Sequence, residues 1–388
     1  MRAEVRMSRY LDGIHRYKRG RLSCVEAGEL LGISERHFRR LLERYEAEGA
    51  EGLIDRRRGR KSGRRAPVDR IEFVVEQYRT RYFDFTVKHF HEALCAEHGF
   101  ALSYSWTKSV LQQRGLVPVS AKRSAHRKKR VRKPLPGMML FQDGSSHAWL
   151  ADRPPLDLIV TMDDATSEIV SMFLTEEEGT ASSFAGLMET IEKKGLFSSL
   201  YTDRGSHYFL TPQAGGKVDR ERLTQVGRAL AELKIDHIPS YSPEGRGRME
   251  RVFGTLQQRL PPILRLKQIV TMDAANRFLR QTYLRDHNAR FAVAAAEDGS
   301  AFVPFIGDLK DVLCIREQRV VGNDNCVRYD GRSLQIPEQA HRRHFVKATV
   351  TVHRYPNDAL AIFHGPRKLA DYGKDGTLIQ TEVIRSAA

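Results

Sequence analysis

The hydrophobic period of this chain changes twice, and those changes constrain what it can fold into. From residue 22 to 118 apolar side chains recur at helical spacing. From 136 to about 290, short continuous apolar runs alternate with helical stretches, and beyond 300 short alternating segments are divided by polar turns. The expected fold is multidomain: an all-α N-terminal third, a central α/β core and a small C-terminal β-barrel. A chain of 388 residues has room for two or three domains of ~100–200 residues each.

Charge narrows the function. Lysine plus arginine exceed aspartate plus glutamate by 64 to 48, a net charge of +16. The excess is clustered: RRRGRKSGRR at 56–65 carries seven basic side chains, AKRSAHRKKRVRK at 121–133 carries eight, and neither contains an acid. Such blocks repel themselves, stay extended and attract polyanions by counterion release, so nucleic acid is the expected partner. No run approaches the ~18 apolar residues a membrane span needs, and the basic N-terminus lacks an apolar export region. The bacterial cytoplasm, with the nucleoid, is the expected location, and no membrane partner is expected. Cys24, Cys95, Cys314 and Cys326 lack CxxC spacing and read as reduced thiols, so no zinc site is expected.

In the first third, LSCVEAGELLGISERHFRRLLERYEAEG predicts a helix over 24–31, a turn through Gly32 and a second helix capped by Ser34. Ala27, Leu30, Leu31, Ile33 and Leu41 should pack this helix-turn-helix, leaving Glu35, Arg36, His37, Arg39 and Arg40 exposed toward a DNA groove or its phosphates. A second unit at 66–118, with helices near 68–80, 86–97 and 104–114, reads as another helix-turn-helix or winged-helix module, or as a three-helix spacer. The first module should occupy residues 1–60 and a basic linker 119–135.

In the middle, MMLFQD, LDLIVTMDD and EIVSMFLT predict three strands, followed by a helix over 180–195, a strand ending at Asp203, a helix, the short strand IDHIP and a long helix. That order argues for one mixed sheet covered on both faces, over residues 136–292. Beyond it, 305–375 should form the barrel, with a hairpin at Tyr329-Asp330-Gly331-Arg332.

Three acids stand out by position. Asp143 and Asp203 end predicted strands, and Glu250 borders the buried stripe Met249, Val252, Phe253, Leu256 and Leu260 of the long helix. Ligands collect at strand ends in α/β sheets. Three converging carboxylates would repel one another unless a cation joined them, and all-oxygen ligands suit Mg²⁺ or Mn²⁺. Two such ions can activate an attacking oxygen and stabilise a leaving one during phosphodiester displacement. Asp163 and Asp164 read instead as turn residues.

QDGS at 142–145, YTDRGSH at 201–207 and YSPEGRGRMERVFGTLQ at 241–257 resemble the three signature blocks of DDE transposases of the retroviral-integrase superfamily, the insertion-sequence enzymes of ISNCY type among them. The resemblance covers roughly 135–290. It implies an RNase H-like integrase core with a five-stranded mixed sheet, Asp143, Asp203 and Glu250 as catalytic metal ligands, and two Mg²⁺ ions for which Mn²⁺ can substitute. It implies cutting at the terminal repeats of an element, joining of 3′-hydroxyls to target DNA, and at least a dimer on double-stranded DNA. The interval from Asp203 to Glu250, 250 − 203 = 47 residues, is long for the family, with the surplus at 211–221 and Glu244 as competitor for the third position. DNA contacts are expected from Arg36, Arg39 and Arg40, from Arg57, from Lys108, from Arg127, Lys128, Lys129 and Arg130, and from Arg246, Arg248 and Arg251. A non-catalytic helix-turn-helix regulator and a hydrolytic RNase H-like nuclease remain as alternatives at this stage.

Overall fold

The computed structural model describes residues 2–54, 66–119, 130–213, 216–241, 243–339 and 342–379, in two compact units, 1–73 and 74–388. In the first unit, α1 (Arg2–Lys18), α2 (Cys24–Leu31) and α3 (Glu35–Glu48) close around Tyr10, Ile14, Ala27, Phe38 and Leu41. Local chemistry explains the boundaries. Ser23 and Glu26 form a reciprocal capping box, Gly32 ends α2 at φ 68°, and the Ser34 hydroxyl accepts from the His37 amide. The expected packing holds at Ala27 and Leu41, whereas Leu30 is largely exposed because it falls on the outer face of α2. Helix α1 was not predicted from the sequence; Tyr10 and Ile14 supply its buried side.

Helix α4 (Val68–Thr80) runs from the first unit into the second, where α5 (Val87–His98) and α6 (Tyr104–Gln113) follow. Thr86 caps α5, Gly99 ends it in a left-handed turn, and Ser103 caps α6. The three helices show no wing strands among the described residues.

The central sheet contains β1 (Leu140–His147), β2 (Leu156–Asp163) and β3 (Ile169–Thr175), then α7 (Thr180–Lys194), β4 (Ser199–Thr202), α8 (Gln225–Glu232), β5 (Asp236–Pro239) and α9 (Pro243–Leu266). Its strand order is β3-β2-β1-β4-β5, antiparallel through β1 and parallel from β1 onward. One face packs on Met249, Phe253, Leu256, Leu260 and Leu264 of α9, with α10 (Met272–Phe278) behind; α7 and α8 cover the other with Phe184, Leu187, Val226 and Leu230. This is the expected mixed sheet with helices on both faces. Helix α11 (Leu284–Phe291) ends in Phe291, over which the Arg259 guanidinium stacks, while Arg259 and Arg290 both pair with Glu92 of α5. Arg265 of α9 holds Asp84. The three-helix segment is therefore clamped to the far end of α9.

The C-terminal region departs from expectation. After α12 (Leu309–Val312), strands β6 (Ile315–Val320), β9 (Thr349–Arg354), β10 (Leu360–His364), β11 (Arg367–Tyr372) and β12 (Leu378–Ile379) make a sheet ordered β12-β11-β10-β9-β6, with β7 (Cys326–Tyr329) and β8 (Arg332–Gln335) as a separate hairpin. The expected barrel is not closed: β6 and β12 are both edges, and β12 is too short to carry the ladder around. The hairpin turn is as predicted, with Asp330 at φ 49° and Gly331 at φ 71°. Among the described residues, no helix is long and apolar enough to cross a membrane.

Candidate active site

Strand β1 is longer than the sequence suggests. It pairs with β2 as far as His147↔Leu156, so Asp143 lies mid-strand, opposite Val160, rather than at a strand end. On its other side β1 pairs in parallel with β4 only at Leu140↔Leu200 and Phe141↔Tyr201. Continuing that register by two residues (143 − 141 = 203 − 201) brings Asp143 level with Asp203. Asp143 therefore sits where β1 runs past its pairing with β4 while still paired with β2, Asp203 directly follows β4, and an extended path puts both on the side of Phe141 and Tyr201, which α9 covers. Asp143 is buried and Asp203 half-buried.

The loop after β4 is fixed by local bonds. The Gly205 amide donates to Asp203 Oδ1 at 2.8 Å, and Thr202 Oγ1 donates to the Asp203 carbonyl at 2.9 Å. Gly205 leaves little room for a larger residue: a Cβ there would lie 3.0 Å from both Asp203 Oδ1 and His207 Cε1, so those side chains would have to give by a few tenths of an ångström. Tyr208 then turns inward and donates to Gln142 Oε1 at 3.1 Å. Its hydroxyl is pushed well above the ordinary tyrosine range, first by burial and then by the negative charges of Glu178, Asp143 and Asp203, so these carboxylates act on one spot.

Sequence reasoning missed Glu178. The carboxylate of this residue lies over Gly144, where an added Cβ would meet Glu178 Oε2 at 2.3 Å. His207 Nε2 stands 3.6 Å from Glu178 Oε1. Its only sequence signal is its place between β3 and the first turn of α7, which says nothing about Asp143.

Helix α9 reaches the same region differently. Its apolar stripe docks on the sheet, and Gln257 Nε2 donates to Ser145 Oγ of β1 at 3.0 Å. Glu250 lies seven residues earlier, two turns or about 10.5 Å along the axis on the same side of the helix. Its side chain is exposed. Among the described residues, no three His, Cys, Asp or Glu side chains gather closely enough to hold a metal ion. The donor set at Asp143 and Asp203 is of the hard-oxygen kind that suits Mg²⁺ or Mn²⁺.

The residues expected on DNA divide into three groups. Arg36, Arg39 and Arg40 line the open side of α3, with Arg39 also paired to Glu35; Arg251 is exposed and Lys108 half-buried. Arg130 and Arg248 instead meet at Asp164, which is fully buried and also accepts the Lys133 amide at 2.8 Å. Burial lowers the Arg248 pKa, and Asp164 opposes that shift. Asp163 caps its turn through Thr166 and receives the Gly137 amide, so both aspartates are structural, as their turn pattern predicts. Arg57, Arg127, Lys128, Lys129 and the side chains of Glu244 and Arg246 lie outside the described residues.

Comparison with known proteins decides the family. A helix-turn-helix domain model matches residues 14–61. The putative transposase y4bF of Sinorhizobium fredii is 31 % identical over 349 residues, covering 88 % of this chain and 75 % of that protein. The chain belongs to the transposases. The transposase for insertion sequence IS1202 of Streptococcus pneumoniae is 26 % identical, covering 84 % of this transposase and 76 % of its own length. Among solved structures, a chain of the simian T-cell lymphotropic virus intasome aligns with a TM-score of 0.35 and 16 % identity over 67 % of this chain and 85 % of that one. The HTLV-2 integrase catalytic core domain, solved with magnesium, aligns with a TM-score of 0.29 and 18 % identity over 38 % and 89 %.

Proposed function

We propose that Asp143, Asp203 and Glu250 form the catalytic carboxylate set of this transposase, cutting DNA at the terminal repeats of an element and joining the 3′-hydroxyls to target DNA. The observation that carries the proposal is the β1/β4 register, which brings Asp143 level with Asp203 where the parallel pairing ends. Glu250 completes the set from α9, whose Gln257 anchors it to Ser145 two residues beyond Asp143. In these roles the carboxylates would hold divalent metal, Mg²⁺ or Mn²⁺. Bound there, the metal supplies charge stabilisation and activation of oxygen for phosphoryl transfer.

The protein's own contribution is placement. Strand β1 sets Asp143, the bonded turn after β4 sets Asp203, and α9, which covers the Phe141 and Tyr201 side of the sheet, carries Glu250. Arg251, exposed and next to Glu250 in sequence, would receive DNA phosphate, as would Arg246, whose side chain lies outside the described residues, and Arg36, Arg39 and Arg40 read or grip the repeat. Pairing two element ends calls for at least two copies of the chain.

The test is a duplex carrying the element end incubated with Mg²⁺ or Mn²⁺, comparing the natural protein with Asp143→Asn. Metal-dependent nicking at the end plus joined products, both lost in the variant, is the expected result. Tight binding with an intact duplex for both proteins would favour a non-catalytic regulator, and nicking without joining a hydrolytic nuclease.

A further inference from the structure

A cavity of about 300 Å³ opens between the loop that follows Asp203 and the α8–β5 segment. Phe209, half-buried, stacks on His237 with ring centroids 4.0 Å apart and planes 21° from parallel. Leu223 stands at the wall with half of its surface exposed. Arg220 and Arg222 lie at the rim, both exposed; Arg222 is steadied by Asp219 at 3.0 Å, and Arg220 has no ion pair among the described residues. His237 Nε2 meets Thr202 Oγ1 at 3.0 Å, and burial lowers its pKa to about 4, so the ring stays neutral and aromatic at physiological pH.

An aromatic stack, an exposed leucine and two cationic side chains make a slot with one apolar and one phosphate-seeking side. A helix or peptide is too large for 300 Å³, and a free inorganic anion would leave Leu223 and Phe209 without a partner. A nucleobase with its own phosphate satisfies both halves, the ring against Phe209 and Leu223 and the phosphate on Arg220 and Arg222. The location agrees. Tyr208, which also lines the cavity, is the residue whose hydroxyl senses Asp143 and Asp203, so the slot opens on the loop that starts at the candidate site.

We propose that this cavity captures one unstacked nucleotide of the DNA strand next to the phosphate being attacked. The proposal takes the source of its ligand from the transposase reading above. Capture would hold the duplex open at the cut and stop the strand from sliding. The nucleotide can come from the element end or from target DNA; both offer the same base and phosphate.

The experiment places a single 2-aminopurine beside the attacked phosphate, in one sample in the element-end duplex and in another in a target duplex, with full-length protein. An unstacked 2-aminopurine brightens, so a several-fold fluorescence rise in one arm supports the slot and names the source. A rise in neither arm, with binding seen by gel shift, overturns it. Leu223→Asp and Arg220→Glu are surface changes that should each remove the rise and weaken binding of DNA with an unpaired nucleotide about 10-fold, the scale of one lost base stack. An undiminished rise in both variants also overturns the slot. Nicking is scored in the same tubes: nicking without brightening rejects the slot and leaves the transposase reading standing, and brightening without nicking keeps the slot while rejecting that reading.

Discussion

The two aspartates, one on β1 and one directly after β4, and the helix-borne glutamate reach the candidate site by different physics. Asp143 and Asp203 are placed by backbone register, which slips only in whole residues and would turn every side chain of the strand over if it did. Glu250 is placed by the docking of α9, a rigid body held by its apolar stripe and by Gln257 on Ser145, with the glutamate itself exposed. A strand pair is preset; a helix end can adjust by a fraction of a turn. Under the proposed assignment, the aspartates are the fixed half of the site and the glutamate the half that DNA or metal can draw in.

The largest effects should come from the fixed half. Asp203→Asn, like Asp143→Asn, should lower strand cutting on the order of 10³-fold or more while DNA affinity stays within a factor of two or so; parallel loss of binding would show that Asp203 serves folding instead. Glu250→Gln should match that loss, whereas Glu250→Asp should keep measurable cutting because α9 can shift to follow a shorter side chain. Equal inactivity of Glu250→Asp and Glu250→Gln would remove the distinction between the two halves.

Loosening the helix anchor comes next. Gln257→Ala deletes the bond to Ser145 and should slow cutting about 10-fold, as loss of a supporting hydrogen bond does around metal ligands, with a raised metal requirement. An unchanged metal titration would mean that the apolar stripe alone positions Glu250. At the DNA-reading end, Arg36→Ala should weaken repeat binding about 10-fold and reduce the log–log salt slope by about 1 without altering the rate once DNA is saturating.

The smallest effect concerns pH. His237, paired in register with Leu200 of β4, has its pKa lowered to about 4 by burial, with His207 adding to the shift. An unfolded histidine titrates near 6.5, so unfolding takes up a proton between the two values. The stability this group contributes is therefore complete above about pH 6.5 and is lost as pH falls toward 4. The urea midpoint should drop between pH 7 and 5, and His237→Phe should flatten part of that drop; an identical slope would place the acid sensitivity elsewhere, as at His287 or His353.

Much of this architecture is legible in local chemistry. Ser23, Gly32 and Ser34 mark the first helical pair, Asp330-Gly331 marks the hairpin, and the α9 stripe declares its buried side at Met249, Phe253 and Leu256. What escaped depends on contacts far apart in sequence. The apolar run LFQD ends at the acid, close to where pairing with β4 stops at Phe141, while pairing with β2 carries β1 on to His147. Glu178 meets Gly144 only through the fold, and Asp164 gathers Arg130 and Arg248 from 34 and 84 residues away, half-burying Arg248 while Arg130 stays exposed. An alternating β pattern likewise cannot tell a closed barrel from an open sheet with a hairpin, since both bury every second side chain.

The central claim is that Asp143 on β1, Asp203 directly after β4 and Glu250 on α9 hold the same metal centre. The most direct measurement loads the protein with Fe²⁺ in place of Mg²⁺, adds ascorbate and peroxide, and maps where the hydroxyl radicals formed at the metal cut the polypeptide. The account predicts cuts close to residues 143, 203 and 250, all absent in Asp143→Asn. Cuts near 143, 203 and 178 with none near 250 would contradict it and make Glu178 the third ligand.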